Sequence, residues 1–365
     1  MKIVFLTPSL AVGGAERFLS DLAIGLKSLG VELSVLSFGS CHERNATKLL
    51  DSGVTLICRD SGFLGTFRFI MQAREFLRAT EPHILQGWLY RGDLMASFAK
   101  RWSPQAKVVW SIRNTELPRP VGIKRFIRIP LIARLLSRWD HPYVISCDAS
   151  ALALHLASGF SYTDPVVIGN SVPDLFLQAA PWAGGDQSYF QIGMAARYAI
   201  GKGHSELISA FALCRASLPE NARCVLVGAG VDSSQALISQ VRDLGLEGRV
   251  LLGGQVDDMQ DWLFGLSMYI MSSTKWEGFP NSLLEAVSLG VPSFSYGIGS
   301  AQEIVGANNC VETGNTLALA QGITSTYIDF EAAKLEAQSR RVYVLRKFSS
   351  ATICEEYLKY WRSIL

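Results

Sequence analysis

Two glutamates eight residues apart stand in a stretch that otherwise reads as buried, "KWEGFPNSLLEAVSLGVP". Glu277 precedes a turn made by Gly278, Phe279 and Pro280. Glu285 falls inside an apolar run of helical character that begins at Asn281 or Ser282, either of which suits an N-cap, and stops at Gly290. A carboxylate accepts two hydroxyl hydrogen bonds, so it can recognise a vicinal diol. One carboxylate on the loop and one on the helix could bracket a nucleotide sugar, one on the sugar hydroxyls and the other on the ribose. The first N–H groups of that helix favour an anion such as a diphosphate. Its counter-cations come from a second stretch, "AARYAIGKGH", with Arg197 at a strand end and Lys202 in a glycine loop.

Other candidates carry less chemistry. Asp257 and Asp258 lack the Asp-x-Asp spacing of metal-dependent transferases and read as structural or capping residues. The five histidines show no metal-ligand spacing, so no metal site is expected. His155 and His204 read as capping or surface residues.

The elements that must position these groups come in two similar halves. "KIVFLTPSL" reads as a strand and "VGGAER" as a glycine turn. "FLSDLAIGLKSLG" is a helix stopped by Gly30, and "VELSVLSF" is the next strand. Further strands are expected at Val54–Ile57, His83–Gly87, Lys107–Ile112 and Tyr143–Ser146. The pattern restarts after "PWAGGDQS", a Gly/Pro-rich linker from Pro181 to Ser188. Strand-like "YFQIGMAARY", "RCVLVGAG", "VLLGG" and "MYIMSS" then alternate with helical stretches. The chain's 365 residues exceed one ordinary core. The reading is therefore α/β, with two doubly wound Rossmann-like domains facing across a cleft. Residues 1–180 are expected to form the first domain and residues 181–348 the second.

"GGAER", "ARYAIGKGH" and "EGFPNSLLEA", in this order and spacing, resemble the retaining glycosyltransferases of family four, with the GT-B fold. The resemblance covers essentially the whole chain, and the Glu-x7-Glu loop is its most specific part. It implies that Arg197 and Lys202 bind the donor diphosphate, that Glu277 faces the donor sugar at the reacting end, and that Glu285 holds the ribose. It implies donor contacts from Gly278, Phe279, Pro280, Asn281, Ser282 and Leu283, with Pro280 contributing no N–H. Gly13 and Gly14 match the first domain's glycine loop, which approaches the phosphates and the acceptor. The last helix, 349–365, is expected to pack back on the first domain. Arg91 and Asn114 stand where relatives often carry histidine, and are the acceptor-side candidates. Ser171 replaces a glycine in the junction loop "IGNSVP".

The implied activity is transfer of a hexosyl or N-acetylhexosaminyl group, with no cofactor. The donor is a UDP- or GDP-sugar and the acceptor a glycan or lipid-linked glycan, of the bacterial cell-surface polysaccharide or lipopolysaccharide type. Retention by same-face attack, with the leaving phosphate helping to deprotonate the acceptor, is the family expectation; a covalent route is the alternative. Two rival classes remain, an epimerase that shares the two-domain fold and a non-catalytic sugar-binding protein that shares the hinged cleft. An epimerase would consume donor without an acceptor, and a sugar-binding protein would never turn it over.

Charge adds a possible partner. Residues 1–180 carry 20 Lys+Arg against 14 Asp+Glu, a net of +6, and residues 181–365 carry 14 against 18, a net of −4. Lys100 to Arg138 holds ten basic residues and one acid, Glu116, interleaved with apolar ones. Such a segment suits an anionic membrane surface, or is a solvated helix face. Aromatics are few and no nucleic-acid module surrounds them, so nucleic acid is not expected. No stretch of about 18 apolar residues is present. The seven cysteines form no C-x-x-C pair and read as free thiols of a reducing cytosol. The expected location is cytoplasmic, peripheral at the membrane's cytoplasmic face.

Overall fold

The computed structural model describes residues 1–11, 13–59, 62–114, 128–185 and 188–365. The chain divides into two compact units. Unit 1 comprises Met1–Ser171 and Ser350–Leu365, and unit 2 comprises Val172–Ser349.

Among the described residues unit 1 contains seven strands: β1 (Lys2–Thr7), β2 (Glu32–Ser37), β3 (Thr55–Cys58), β4 (Ile84–Gly87), β5 (Lys107–Ile112), β6 (Tyr143–Ser146) and β7 (Thr163–Val167). They form one parallel sheet in the order β3-β2-β1-β4-β5-β6-β7. The inner strands are near-continuous apolar runs, as a sheet covered on both faces requires. Ile3, Val4, Phe5 and Leu6 in β1 are all buried, each contributing about 1.5–3 kcal/mol relative to exposure. The C-terminal helix, Ser350–Ile364, belongs to this unit. Trp361 donates from Nε1 to Gln86 Oε1 at 3.1 Å and its ring meets Phe5 edge-on. Gly25 lets this helix close on Gly14–Ser28, since a Cβ there would lie 2.7 Å from Cys354 Sγ.

Unit 2 contains β8 (Gln191–Ala195), β9 (Arg223–Val227), β10 (Val250–Gly253), β11 (Met268–Met271), β12 (Ser293–Tyr296) and β13 (Cys310–Val311). They too are parallel, in the order β10-β9-β8-β11-β12-β13. Strand order reverses between β8 and β11, as it does between β1 and β4 in unit 1. At such a switch point the connections diverge to opposite sides and leave a crevice beyond the strands' C-terminal ends.

Three expectations need correction. The unit boundary falls at Ser171/Val172 rather than at 180/181, because the next segment is anchored in unit 2. Val172 N–H donates to Phe348 O, and Trp182 donates from its backbone to Leu289 O and from Nε1 to Leu266 O. Two of the seven cysteines are not free: Cys41 and Cys58 form a disulfide, while Cys147, Cys214, Cys224, Cys310 and Cys354 are thiols. The pairing of β2 with β3 puts Ser37 opposite Cys58, so the chain leaving β2 passes the end of β3. Lastly, the basic stretch is not uniformly a surface. Arg113 is buried and Lys107 lies in β5, whereas Lys124 and Arg125 lie outside the described residues. Among the described residues no helix is long and apolar enough to cross a membrane.

Candidate active site

In unit 2 the two motif stretches leave the ends of adjacent strands. β8 runs out into the loop Ala196–Gly203, which leads into the helix His204–Cys214. β11 runs out into Ser272–Pro280, which leads into the helix Asn281–Leu289. Gly203 caps its helix at φ +85, and a Cβ there would stand 1.7 Å from Ser272 O, so only glycine lets the loops close on each other. Ser272 Oγ donates to Gly203 O at 2.8 Å, and the Thr274 and Lys275 N–H groups both donate to Gly201 O.

This lacing brings Lys202 to Glu277, with Nζ 2.6 Å from Oε2 and side chains 19% and 15% exposed. Arg197, on the same loop as Lys202, is exposed. Among the described residues it makes no ion pair. Trp276, just before Glu277, holds φ +57, a left-handed conformation that a bulky residue seldom adopts. Behind it, Ser300 N–H donates to Gly278 O. Gly299 presses so close that a Cβ would lie 2.3 Å from the Glu277 and Gly278 carbonyl oxygens. The backbone of the first motif glutamate is thus pinned from the β12 side.

Glu285 lies in the helix that follows and is buried, 1% exposed. The N-cap is Pro280 rather than Asn281 or Ser282, and a proline has no side-chain group to cap with. Ser282 Oγ instead accepts from Tyr269 OH at 2.7 Å. Burial, and then the charges of Glu285 and Glu277, raise the Tyr269 pKa well above that of a free phenol, so its hydroxyl keeps its proton. A helix start with no cap from its N-cap residue leaves N–H donors that an anion can take. Gly290 ends the helix in the left-handed conformation, as expected. Phe279 is buried and packs edge-on against Phe348, while Leu283 is in the core.

The remaining candidates lie in unit 1. Gly13 is the N-cap of the first helix and Gly14 its first residue. Arg91 is exposed on the helix Leu89–Ala99. Asn114 follows β5 and lines a small recess with Arg113 and Tyr90. Arg113, which also lines this recess, is not set apart in the sequence, where it merges with the basic run. Asp258 caps the helix Met259–Phe264 through a hydrogen bond from Asp261 N–H, as its position suggested. His204 is buried, and its Nε2–H donates to Ala196 O at 3.0 Å. Among the described residues no group of three His, Cys, Asp or Glu side chains could hold a metal ion.

Two parallel doubly wound sheets, one with acidic and basic groups gathered at its switch point, define a GT-B glycosyltransferase fold. The structure of Anabaena HepE in complex with UDP and glucose superposes with a TM-score of 0.81 over all of both chains, at 21% identity. A family model described as "Glycosyltransferase Family 4" matches residues 12–174, and one described as "Glycosyl transferases group 1" matches 189–329. The chain belongs to the family 4 glycosyltransferases. It is 31% identical over 104 residues to the lipopolysaccharide core biosynthesis mannosyltransferase LpsB of Rhizobium meliloti (strain 1021), a match covering 28% of each chain. It is 27% identical over 148 residues to N-acetyl-alpha-D-glucosaminyl L-malate synthase of Bacillus anthracis, covering 40% of this chain and 38% of that one. The chain therefore aligns with less than two fifths of the length of either curated relative.

Proposed function

We propose that the protein transfers a hexosyl or N-acetylhexosaminyl group from a UDP-sugar to a glycan or lipid-linked acceptor, with retention, in cell-surface glycan biosynthesis. The observation that carries this reading is the contact of Lys202 with Glu277 at the β8/β11 switch point, beside exposed Arg197 and the start of the helix Asn281–Leu289. Arg197, Lys202 and the helix N-terminus stabilise the charge that develops on the leaving nucleoside diphosphate, the largest catalytic contribution the site offers. Glu277 receives the sugar hydroxyls and Glu285 the ribose hydroxyls. The UDP-bound HepE structure supports the donor class, and the mannosyltransferase relative supports transfer of a hexosyl group. A GDP-sugar is the alternative donor. Same-face attack, with the leaving phosphate accepting the acceptor's proton, is the route we favour.

The same reading places the protein at the cytoplasmic face of the membrane. Its support is the Arg128–Asp140 helix, on which Leu131, Ile132, Leu135 and Trp139 are exposed beside Arg134 and Arg138. Apolar and basic residues together suit an anionic bilayer. The functional test incubates purified protein with UDP- and GDP-sugars, with and without membrane lipid extract, and follows nucleoside diphosphate release. Release that depends on the extract supports transfer to a lipid-linked acceptor. Donor consumption without any acceptor product would point to an epimerase, and binding without turnover to a sugar-binding protein.

A further inference from the structure

At the C-terminal end of β5 in unit 1, Leu89, Tyr90, Ser111, Ile112, Arg113 and Asn114 line a recess with about 10 Å³ of room, enough for one water-sized group. Arg113 is 9% exposed. Its guanidinium carbon lies 4.0 Å from the centre of the Trp88 ring and 5.2 Å from that of Phe18. Nη1–H donates to Asn170 Oδ1 at 3.2 Å and Nη2–H to Tyr357 OH. Both partners are neutral, and Nε–H has no partner.

A buried guanidinium without a countercharge is costly. Among the described residues no carboxylate forms an ion pair with Arg113. The acid that acts on it is Asp93, which is buried and accepts from Ser111 N–H at 2.8 Å. Burial raises the Asp93 pKa well above the carboxylate range, outweighing that hydrogen bond and the attraction of Arg113. Asp93 is therefore a poor source of the missing charge. The recess also carries backbone strain: Leu89 is held at φ +61, a conformation that a non-glycine residue adopts at a cost and that gathers at functional sites.

We propose that Arg113 is an anion-binding residue that takes one oxygen of a phosphate or carboxylate group presented to this recess by the acceptor. A guanidinium suits either oxyanion, and its stacking on Trp88 fixes its plane in advance. Only the identification of the ligand as the acceptor rests on the glycosyltransferase reading. The anion site stands on unit 1 alone.

The test uses the full chain carrying Arg197→Ala and Lys202→Ala, so that the unit 2 cations cannot bind the probe. Calorimetry with inorganic phosphate, and in a separate arm with malonate, should show binding of at least one anion. Adding Arg113→Gln should weaken it about tenfold or more, with Arg113→Lys intermediate. The arm that responds tells phosphate from carboxylate. Binding that is unchanged without Arg113, or absent in both arms, overturns the proposal. If Arg113→Gln does not fold, hydrogen exchange on the Arg197→Ala Lys202→Ala protein decides. The anion should slow exchange at the Arg113 and Asn114 amides, and unchanged exchange there overturns it. Failure of the glycosyltransferase reading would appear separately, as wild-type protein that neither binds UDP nor turns over a UDP-sugar.

Discussion

Lys202 Nζ and Glu277 Oε2 stand 2.6 Å apart, although they lie 75 residues apart in the chain. Each loop begins at the end of a strand, and β8 and β11 are neighbours because the sheet reverses order there. On the proposed reading, the contact pairs the cation assigned to the donor phosphate with the carboxylate assigned to sugar hydroxyls. In that reading an entering donor would exchange this contact for two others, its diphosphate taking Lys202 and its sugar hydroxyls Glu277.

Glu277→Gln should raise the turnover barrier by about 2–4 kcal/mol, the scale for losing a charged contact near a reaction centre. Initial rates with donor saturating check this, with circular dichroism confirming the fold. Wild-type turnover would remove Glu277 from the reacting end.

Gly203→Ala should destabilise unit 2 by at least about 2 kcal/mol, because a left-handed φ combines with a Cβ forced into Ser272 O. Chemical denaturation measures it. Gly245→Ala is the comparison: φ there is +60 and nothing lies within 4 Å of the new Cβ, so conformational strain acts alone. Equal losses in the two variants would mean that the packing of the two site loops contributes nothing.

Stability should fall as pH drops below about 6.5, in part through His204. Burial lowers the His204 pKa, and Lys202 adds to this against opposing effects of the Ala196 carbonyl and Glu206. The unfolded chain then takes up a proton at higher pH than the folded one does. The contribution is complete above the unfolded value and is lost as pH falls toward the folded one. Thermal melts of wild type and His204→Gln should converge as pH drops from 7.5 to 5; parallel curves would mean that the imidazole is not buried neutral.

The denatured, non-reduced protein should present five reactive thiols, and seven after reduction. Thiol titration reads both values. Seven thiols before reduction would show that Cys41 and Cys58 are not bonded in the purified protein.

What could be read from the sequence follows from where the information lies. β5 and β6 could be bounded from composition because they are short apolar runs ended by polar residues. β7 could not: "TDPVV" is largely exposed, contains Pro165 and sits at a sheet edge, where no apolar pattern is required. Arg197, Lys202, Glu277 and Glu285 stand out as candidates because each lies in a local sequence motif, and their roles stay part of the proposed function. The Cys41–Cys58 bond and the burial of Arg113 were not legible, because both depend on which strands become neighbours. Arg113 is one of ten basic residues in its stretch, and only the packing of Trp88, Phe18 and Tyr357 around it sets it apart.

In the proposed donor site, Arg197 and Lys202 bind the diphosphate of a nucleotide-sugar donor while Glu285 binds its ribose. Calorimetry of UDP and of uridine against wild type, Arg197→Ala, Lys202→Ala and Glu285→Gln tests it most directly. The account predicts that both cation variants lose UDP affinity about tenfold or more while leaving uridine unchanged, and that Glu285→Gln weakens both ligands. Equal losses of UDP and uridine in Arg197→Ala and Lys202→Ala, or undiminished UDP binding in both, would contradict it.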